Sequence, residues 1–272
     1  MSPPPWRRAF AELAAGPIHY AHCGAASAPA VLLLHQTPRS WREYAQVLPL
    51  LGTRYRAIAM DTIGFGDSAP APWPPSIERW AGVALELLDT LGIARAHVVG
   101  HHTGGVIALE LAAAWPDRVA SLVLSSTPHT DAAFRAARAA RPPIDHVEPS
   151  ADGSHLMALW QKRQAFYPAG RPDLLEAFVC DALKADGDVE GGHRAVASYR
   201  MEDRIARVRA RTLLIRAPQD PFAAPHAAEL LQHLPPQAQA RIVEIPGGGV
   251  PLPDQLPQAF AQAVLDFLSM QR

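Results

Sequence analysis

The chain is short of charge. Only 19% of its 272 residues are Asp, Glu, Lys or Arg, and the formal net charge is −1. That balance offers no electrostatic footprint for nucleic acid or an anionic membrane surface, so neither is expected as a partner. Cysteine is nearly missing. Cys23 and Cys180 lie far apart in unrelated segments, which argues against a disulfide framework and fits a reducing compartment, so a cytoplasmic location is expected. No apolar run is long enough to span a bilayer. The basic start, Met1-Ser2-Pro3-Pro4-Pro5-Trp6-Arg7-Arg8, has no apolar stretch behind it, so it does not read as a secretory leader.

What the chain does have is a hydrophobic content of 49%, arranged as short β-like runs alternating with helical patterns. Ala30 to Leu34, Tyr55 to Met60, Ala96 to Val99, Val119 to Leu124, Thr212 to Arg216 and Arg241 to Ile245 read as buried strands. Ile77 to Leu91 reads as a helix capped by Ser76 and stopped by Gly92. Asp254 to Met270 reads as one closing amphipathic helix. This alternation implies an α/β fold with a mostly parallel sheet covered on both faces. From His129 to Arg204 the pattern is helical only, interrupted at Pro142-Pro143 and Pro149. The expected organisation is a core of residues 1–128 and 205–272 with a helical lid, 129–204, inserted between strands. Arg135, Arg138 and Arg141 recur at helical spacing and read as a solvated face.

Gly100-His101-His102-Thr103-Gly104 carries the most chemistry. A strand, a Gly-flanked turn and a helix is the setting of G-x-S-x-G, in which a strained turn lifts a nucleophilic serine above the sheet. Here His102 stands where the serine is expected. A hydroxyl, a base to take its proton and an acid to orient the base make the usual relay; this turn lacks the first.

Further turns match in order. His35-Gln36-Thr37-Pro38-Arg39-Ser40-Trp41 is similar to the H-G-x-P-x-S-W turn of epoxide hydrolases and haloalkane dehalogenases, and Asp61 to Ser68 to their D-x-x-G-F-G-x-S turn. Ala217-Pro218-Gln219-Asp220-Pro221 resembles the turn carrying the catalytic acid, and Ile245-Pro246-Gly247-Gly248-Gly249-Val250 the I-P-G-x-G-H turn carrying the catalytic histidine. Pro257-Gln258-Ala259-Phe260 resembles the closing P-E-A-F. Over nearly its whole length the chain resembles the α/β-hydrolase fold superfamily. The resemblance implies Asp220 as the acid, with Val250 in place of the histidine. It also implies backbone N–H groups of Thr37 and Thr103 as oxyanion donors, which do not depend on side-chain identity.

The paired changes suggest a dyad: the imidazole of His102 fills the space Val250 leaves and meets Asp220, giving a general base with the histidine moved to the elbow. The expected activity is that of an atypical hydrolase acting on a small, largely apolar carbonyl, ester or lactone-like substrate. The same base could serve a cofactor-free lyase, decarboxylase or dioxygenase, and a decayed, ligand-binding site is the further alternative. His35, Gln36, Trp41, His129, Trp160 and Val250 are the expected substrate-binding residues, although His35 and His101 also suit packing beneath their turns. Arg39 is read either as a partner for a substrate carboxylate or as a solvated loop residue. Adjacent histidines on a turn project apart, so no metal is expected at His35, His101, His102 and Asp220. No cofactor is expected, the partner is a small-molecule substrate, and a homodimer is left open.

Overall fold

A computed structural model of the protein describes residues 5–185 and 188–270. The start Met1-Ser2-Pro3-Pro4, part of the basic N-terminus, lies outside the described residues. Among the described residues eight strands form one sheet: β1 (Arg7–Leu13), β2 (Gly16–Cys23), β3 (Ala30–Leu34), β4 (Arg56–Met60), β5 (Ala96–His101), β6 (Val119–Ser125), β7 (Arg211–Arg216) and β8 (Arg241–Glu244). Their spatial order is β1-β2-β4-β3-β5-β6-β7-β8. The first two pairings, β1 with β2 and β2 with β4, are antiparallel, and the rest are parallel.

The parallel strands are the apolar runs read from sequence, each within a residue or two. β3 and β5 are buried along their whole length, as expected of strands covered on both faces. The N-terminal hairpin of β1 and β2 has no counterpart in the sequence reading. It sits at the sheet edge, where Arg7, Arg8 and Phe10 face out, so its pattern lacks a continuous apolar run.

Helices α1 (Val47–Leu51), α2 (Ile77–Thr90) and α3 (Thr103–Ala114) follow β3, β4 and β5. Ser76 caps α2 by accepting from Arg79 N, and Gly92 takes φ +67° just beyond its end, as a left-handed stop requires. Between β6 and β7 the described residues hold α4 (Ala132–Ala139), α5 (Ser154–Gln164), α6 (Pro172–Ala182) and α7 (Gly191–Ser198), with no strand among them. The Pro-rich stretch around 142–149 falls between α4 and α5. Helix α8 (His226–His233) precedes β8.

The closing helix is two helices, α9 (Leu252–Gln255) and α10 (Pro257–Ser269). Leu256 breaks the run at φ −131°, ψ +58°. Pro257 forces this, because a residue preceding proline is pushed out of the helical region and proline itself suits a first turn. Two apolar layers sandwich the sheet: α2 and α3 on one face, α1 and α10 on the other. No disulfide joins Cys23 to Cys180. Among the described residues, no helix is long and apolar enough to cross a membrane.

After β3 the chain crosses to β4 on one side, and later to β5 on the other. The connections leaving the carboxyl ends of β3 and β5 therefore run in opposite directions, while the ends themselves stay paired at Leu34 and Gly100. Crevices in parallel sheets form at such switch points.

Candidate active site

That crevice receives the turn after β5. His102 sits at φ +48°, ψ −115°, and its N–H donates to Ser125 O at 3.0 Å. A non-glycine residue in that region stores backbone strain, a recurrent property of functional turns. The flanking glycines make the turn physically available. A Cβ on Gly100 would fall 2.1 Å from Gly104 O, and one on Gly104 would fall 2.0 Å from Leu34 O. Only a residue without Cβ lets α3 start this close to β3 and β5.

His102 Nε2 stands 2.8 Å from Asp220 Oδ2. The approach is oblique, and neither atom completes a directional hydrogen bond. Catalytic pairs often align only once substrate is bound. Asp220 is fully buried after β7. Its Oδ1 accepts from the N–H groups of Phe222 and Ala223 at 3.0 and 3.2 Å. Burial pushes its carboxyl up, but the adjacent His102 and the Phe222 N–H outweigh this and hold it down at about 2, so it is ionised at neutral pH.

His101 packs beneath the turn. Its Nε2–H donates to Val250 O at 2.8 Å, which leaves Nδ1 to accept from Ser125 Oγ at 3.0 Å. Burial first, then the neighbouring His102, lower its pKa to about 3, so the ring stays neutral. The last loop is thus tied to the elbow through a backbone carbonyl, with Val250 itself buried.

The loop after β3 supplies the other wall. Thr37 Oγ1 and Thr103 Oγ1 lie 2.9 Å apart. The Thr103 N–H opens α3, where first-turn donors have no intrahelical acceptor. Helix α7 presses on this loop: a Cβ at Gly192 would lie 1.7 Å from Thr37 Oγ1. Gln36 donates from N and Nε2 to the buried carboxylate of Glu43 at 3.0 and 2.5 Å, so its side-chain amide is turned to Glu43. Burial raises the Glu43 carboxyl to about 7, although Arg39 and the Gln36 N–H oppose it. A carboxyl with a folded-state pKa above its unfolded value penalises the native state as it ionises. Wild type should therefore lose stability relative to Glu43→Gln as pH rises from 4.5 to about 7, by roughly 1–3 kcal/mol. Thermal melts of both proteins across that window check this, and parallel curves would contradict it.

Arg39 corrects both readings of it. It is fully buried, neither solvated nor open to substrate. Its Nε donates to Asp181 Oδ2 at 2.8 Å and its Nη2 to Asp254 Oδ2 at 2.6 Å, while Ser40 Oγ donates to Asp181 Oδ1 at 2.8 Å. One guanidinium thereby binds the β3 loop, α6 and α9 together.

A cavity of about 730 Å³ opens over the turn. It is lined by His102, Thr37, Thr103, Gln36, His129 and Val250 among the residues singled out from sequence, and Asp220 stands behind His102. The structure does not bring His35, Trp41 or Trp160 to it. Both His35 nitrogens are engaged: Nδ1–H donates to Gln36 O at 2.7 Å and Nε2 accepts from Thr62 N at 2.9 Å. The Trp41 ring packs edge-on against Trp6, and its backbone N–H donates to Asp61 Oδ1. Trp160 packs on the apolar cluster of Leu159, Tyr167 and Phe178. His129 is stacked on His233, with ring centroids 4.6 Å apart, and its Nε2 has no partner among the described residues. Sequence reasoning missed Phe222, next but one to Asp220 and paired edge-on with Phe166; its adjacency to the acid was the available signal. The arginine reading also changes. Arg135 pairs with Glu202, whereas Arg138 and Arg141 line the cavity.

Comparison with known proteins gives the same architecture. A family model described as alpha/beta hydrolase fold matches residues 29–253. Epoxide hydrolase 4 of Mus musculus is 31% identical over 113 residues, 41% of this chain and 32% of the mouse protein, so the chain matches about a third of that relative. RutD of Pseudomonas savastanoi pv. phaseolicola, assigned to carbamate hydrolysis by name, is 29% identical over 271 residues, covering 92% of this chain and 97% of the relative. The crystal structure of the enol-lactonase from Burkholderia xenovorans LB400 superposes with a TM-score of 0.80 at 25% identity, covering 96% of this chain and all of that one.

Proposed function

The chain belongs to the α/β-hydrolase family, and from that premise we propose that it hydrolyses a small, largely apolar carbonyl compound with His102 as general base in place of a serine. The observation that carries this reading is the 2.8 Å approach of His102 Nε2 to a buried, ionised Asp220 at the floor of the cavity. In the usual relay the acid holds Nδ1 of the histidine and leaves Nε2 to act. Here the acid faces Nε2, so Nδ1 is the working nitrogen.

In this mechanism a water oxygen attacks the carbonyl carbon while His102 Nδ1 takes the water proton. The C=O pair becomes an oxyanion facing the N–H groups of Thr37 and Thr103. Asp220 remains ionised and stabilises the imidazolium. Collapse restores the carbonyl, breaks the bond to the leaving group, and returns the proton from His102 to that group. The relatives named for carbamate and enol-lactone substrates support this reading, since both substrates are acyl carbons that carry a leaving group. Residues 129–204 act as the lid over a core of 1–128 and 205–272, because α4, α5 and α7 supply cavity walls.

Two measurements test the reading. A fluorophosphonate probe should not label the protein at the elbow; a stoichiometric adduct on a serine of the cavity would overturn the base mechanism. With a substrate found by screening, reaction in ¹⁸O-water should place one label in the acid product. Product without label would favour proton abstraction and cleavage by the same base.

A further inference from the structure

The cavity carries more positive charge than it neutralises internally. Arg138, Arg141, Lys162 and Arg163 line it, against two carboxylates, Asp131 and Glu229. Both acids have partners: Asp131 caps α4 by accepting from Phe134 N at 2.7 Å, and Glu229 accepts from His226 Nδ1 at 2.8 Å. Two of the cations are also matched. Arg163 pairs with the buried Asp145, and Arg138 Nη2 lies 3.8 Å from Glu190. Asp145, Glu190 and His193 have donor chemistry for a metal, but Arg163 already neutralises Asp145, so that cluster reads as scaffold.

Arg141 and Lys162 are different. Neither makes an ion pair among the described residues, and both are exposed, which places them at the cavity mouth. They come from separate elements, the end of the α4 segment and α5. Arg138 fixes the first of them: its Nη1 donates to Arg141 O at 3.2 Å and to Pro142 O at 3.0 Å, clamping the backbone that carries Arg141. His102, by contrast, has a side chain only 15% exposed and lies at the floor. The wall also includes Phe134, Ile144, Phe166 and Phe222. The arrangement is a reactive floor, apolar sides and a cationic mouth.

We propose that Arg141 and Lys162 recognise a carboxylate, so that the substrate is an acidic compound with an apolar body and its reacting carbonyl at the other end. This deepens the hydrolase reading by naming the substrate class. It rests on the cavity being the substrate site and not on the chemistry assigned to His102. A carboxylate held by a guanidinium and an ammonium gains charge-assisted hydrogen bonds that a neutral isostere does not, worth about tenfold or more in affinity. Exposure at the mouth makes the gain sensitive to salt.

The test is binding of 4-phenylbutyrate and of its neutral amide, 4-phenylbutyramide, by calorimetry at low ionic strength. Wild type should bind the acid at least tenfold more tightly than the amide. Arg141→Gln with Lys162→Gln should erase that preference and leave the amide affinity unchanged. His102→Ala should keep the preference. Equal binding of the two probes, binding of neither, or a preference that survives the double substitution would overturn the proposal. A preference lost in His102→Ala would also overturn it, by placing the anion at the dyad. Turnover retained by His102→Ala would instead remove the base mechanism and leave the carboxylate preference standing.

Discussion

His102→Ala is expected to lower kcat by about 10²–10⁴-fold, the usual span for loss of a general base, with little change in ligand affinity and with the fold kept. The turn should survive because alanine carries the same Cβ as histidine, so the strain at φ +48° is kept and not relieved. The conformation is set by Gly100 and Gly104 and by the His102 N–H bond to Ser125 O, none of which involves the imidazole. Asp220→Asn should also impair turnover. An amide can present N–H to the imidazole and favour the wrong tautomer, the effect that makes the corresponding change so damaging in serine enzymes. The two losses should not add, because both act on one base. Steady-state kinetics on wild type, both single variants and the double variant give the answer. Equal turnover by wild type and His102→Ala would reject the dyad, and tight binding without turnover by either would favour a ligand-binding role.

The largest structural effect is expected at Arg39. Arg39→Met keeps most of the volume but leaves Asp181 and Asp254 buried without their cation. Removing one member of a buried ion pair costs about 3–5 kcal/mol, which for a chain of this size lowers Tm by roughly 10 °C. The carboxyl of Asp254 is already raised by burial, with Arg39 acting against that burial. Once the guanidinium is gone Asp254 should take up a proton more readily, and the variant should recover part of its stability toward acid pH. Adding Asp181→Asn and Asp254→Asn should restore some of the loss at neutral pH. A Tm within a degree or two of wild type would mean that the network adds nothing to stability.

The parallel sheet was legible because each strand is a continuous apolar run, and the elbow because Gly100 and Gly104 flank it in a fixed pattern. The approach of His102 to Asp220 followed from two substitutions in separate loops. Arg39 was not legible. A loop arginine looks solvated unless its partners are known, and these lie 142 and 215 residues away. Arg141 is exposed, as its spacing implied, but Arg138 is half-buried beside Glu190: helical spacing states that residues share a face, not what the face looks upon. His35 and Trp41 belong to a recognisable turn, yet motif membership does not separate residues that shape a loop from those that touch its contents. The break at Leu256 was legible from Pro257, but the amphipathic pattern continued through it and masked the local signal.

The helical segment between β6 and β7 meets the rest of the protein through residues it does not encode. Asp181 answers to Arg39, and Gly192 leaves space that Thr37 fills. Moved alone into a framework without Arg39, this segment would strand the Asp181 charge; a foreign segment with a side chain at position 192, grafted here, would collide with Thr37. The heritable unit is therefore the segment together with the β3 loop and the start of α9, three pieces separated in the gene but joined in the fold. A chimera exchanging all three should fold, whereas one exchanging only residues 129–204 should not.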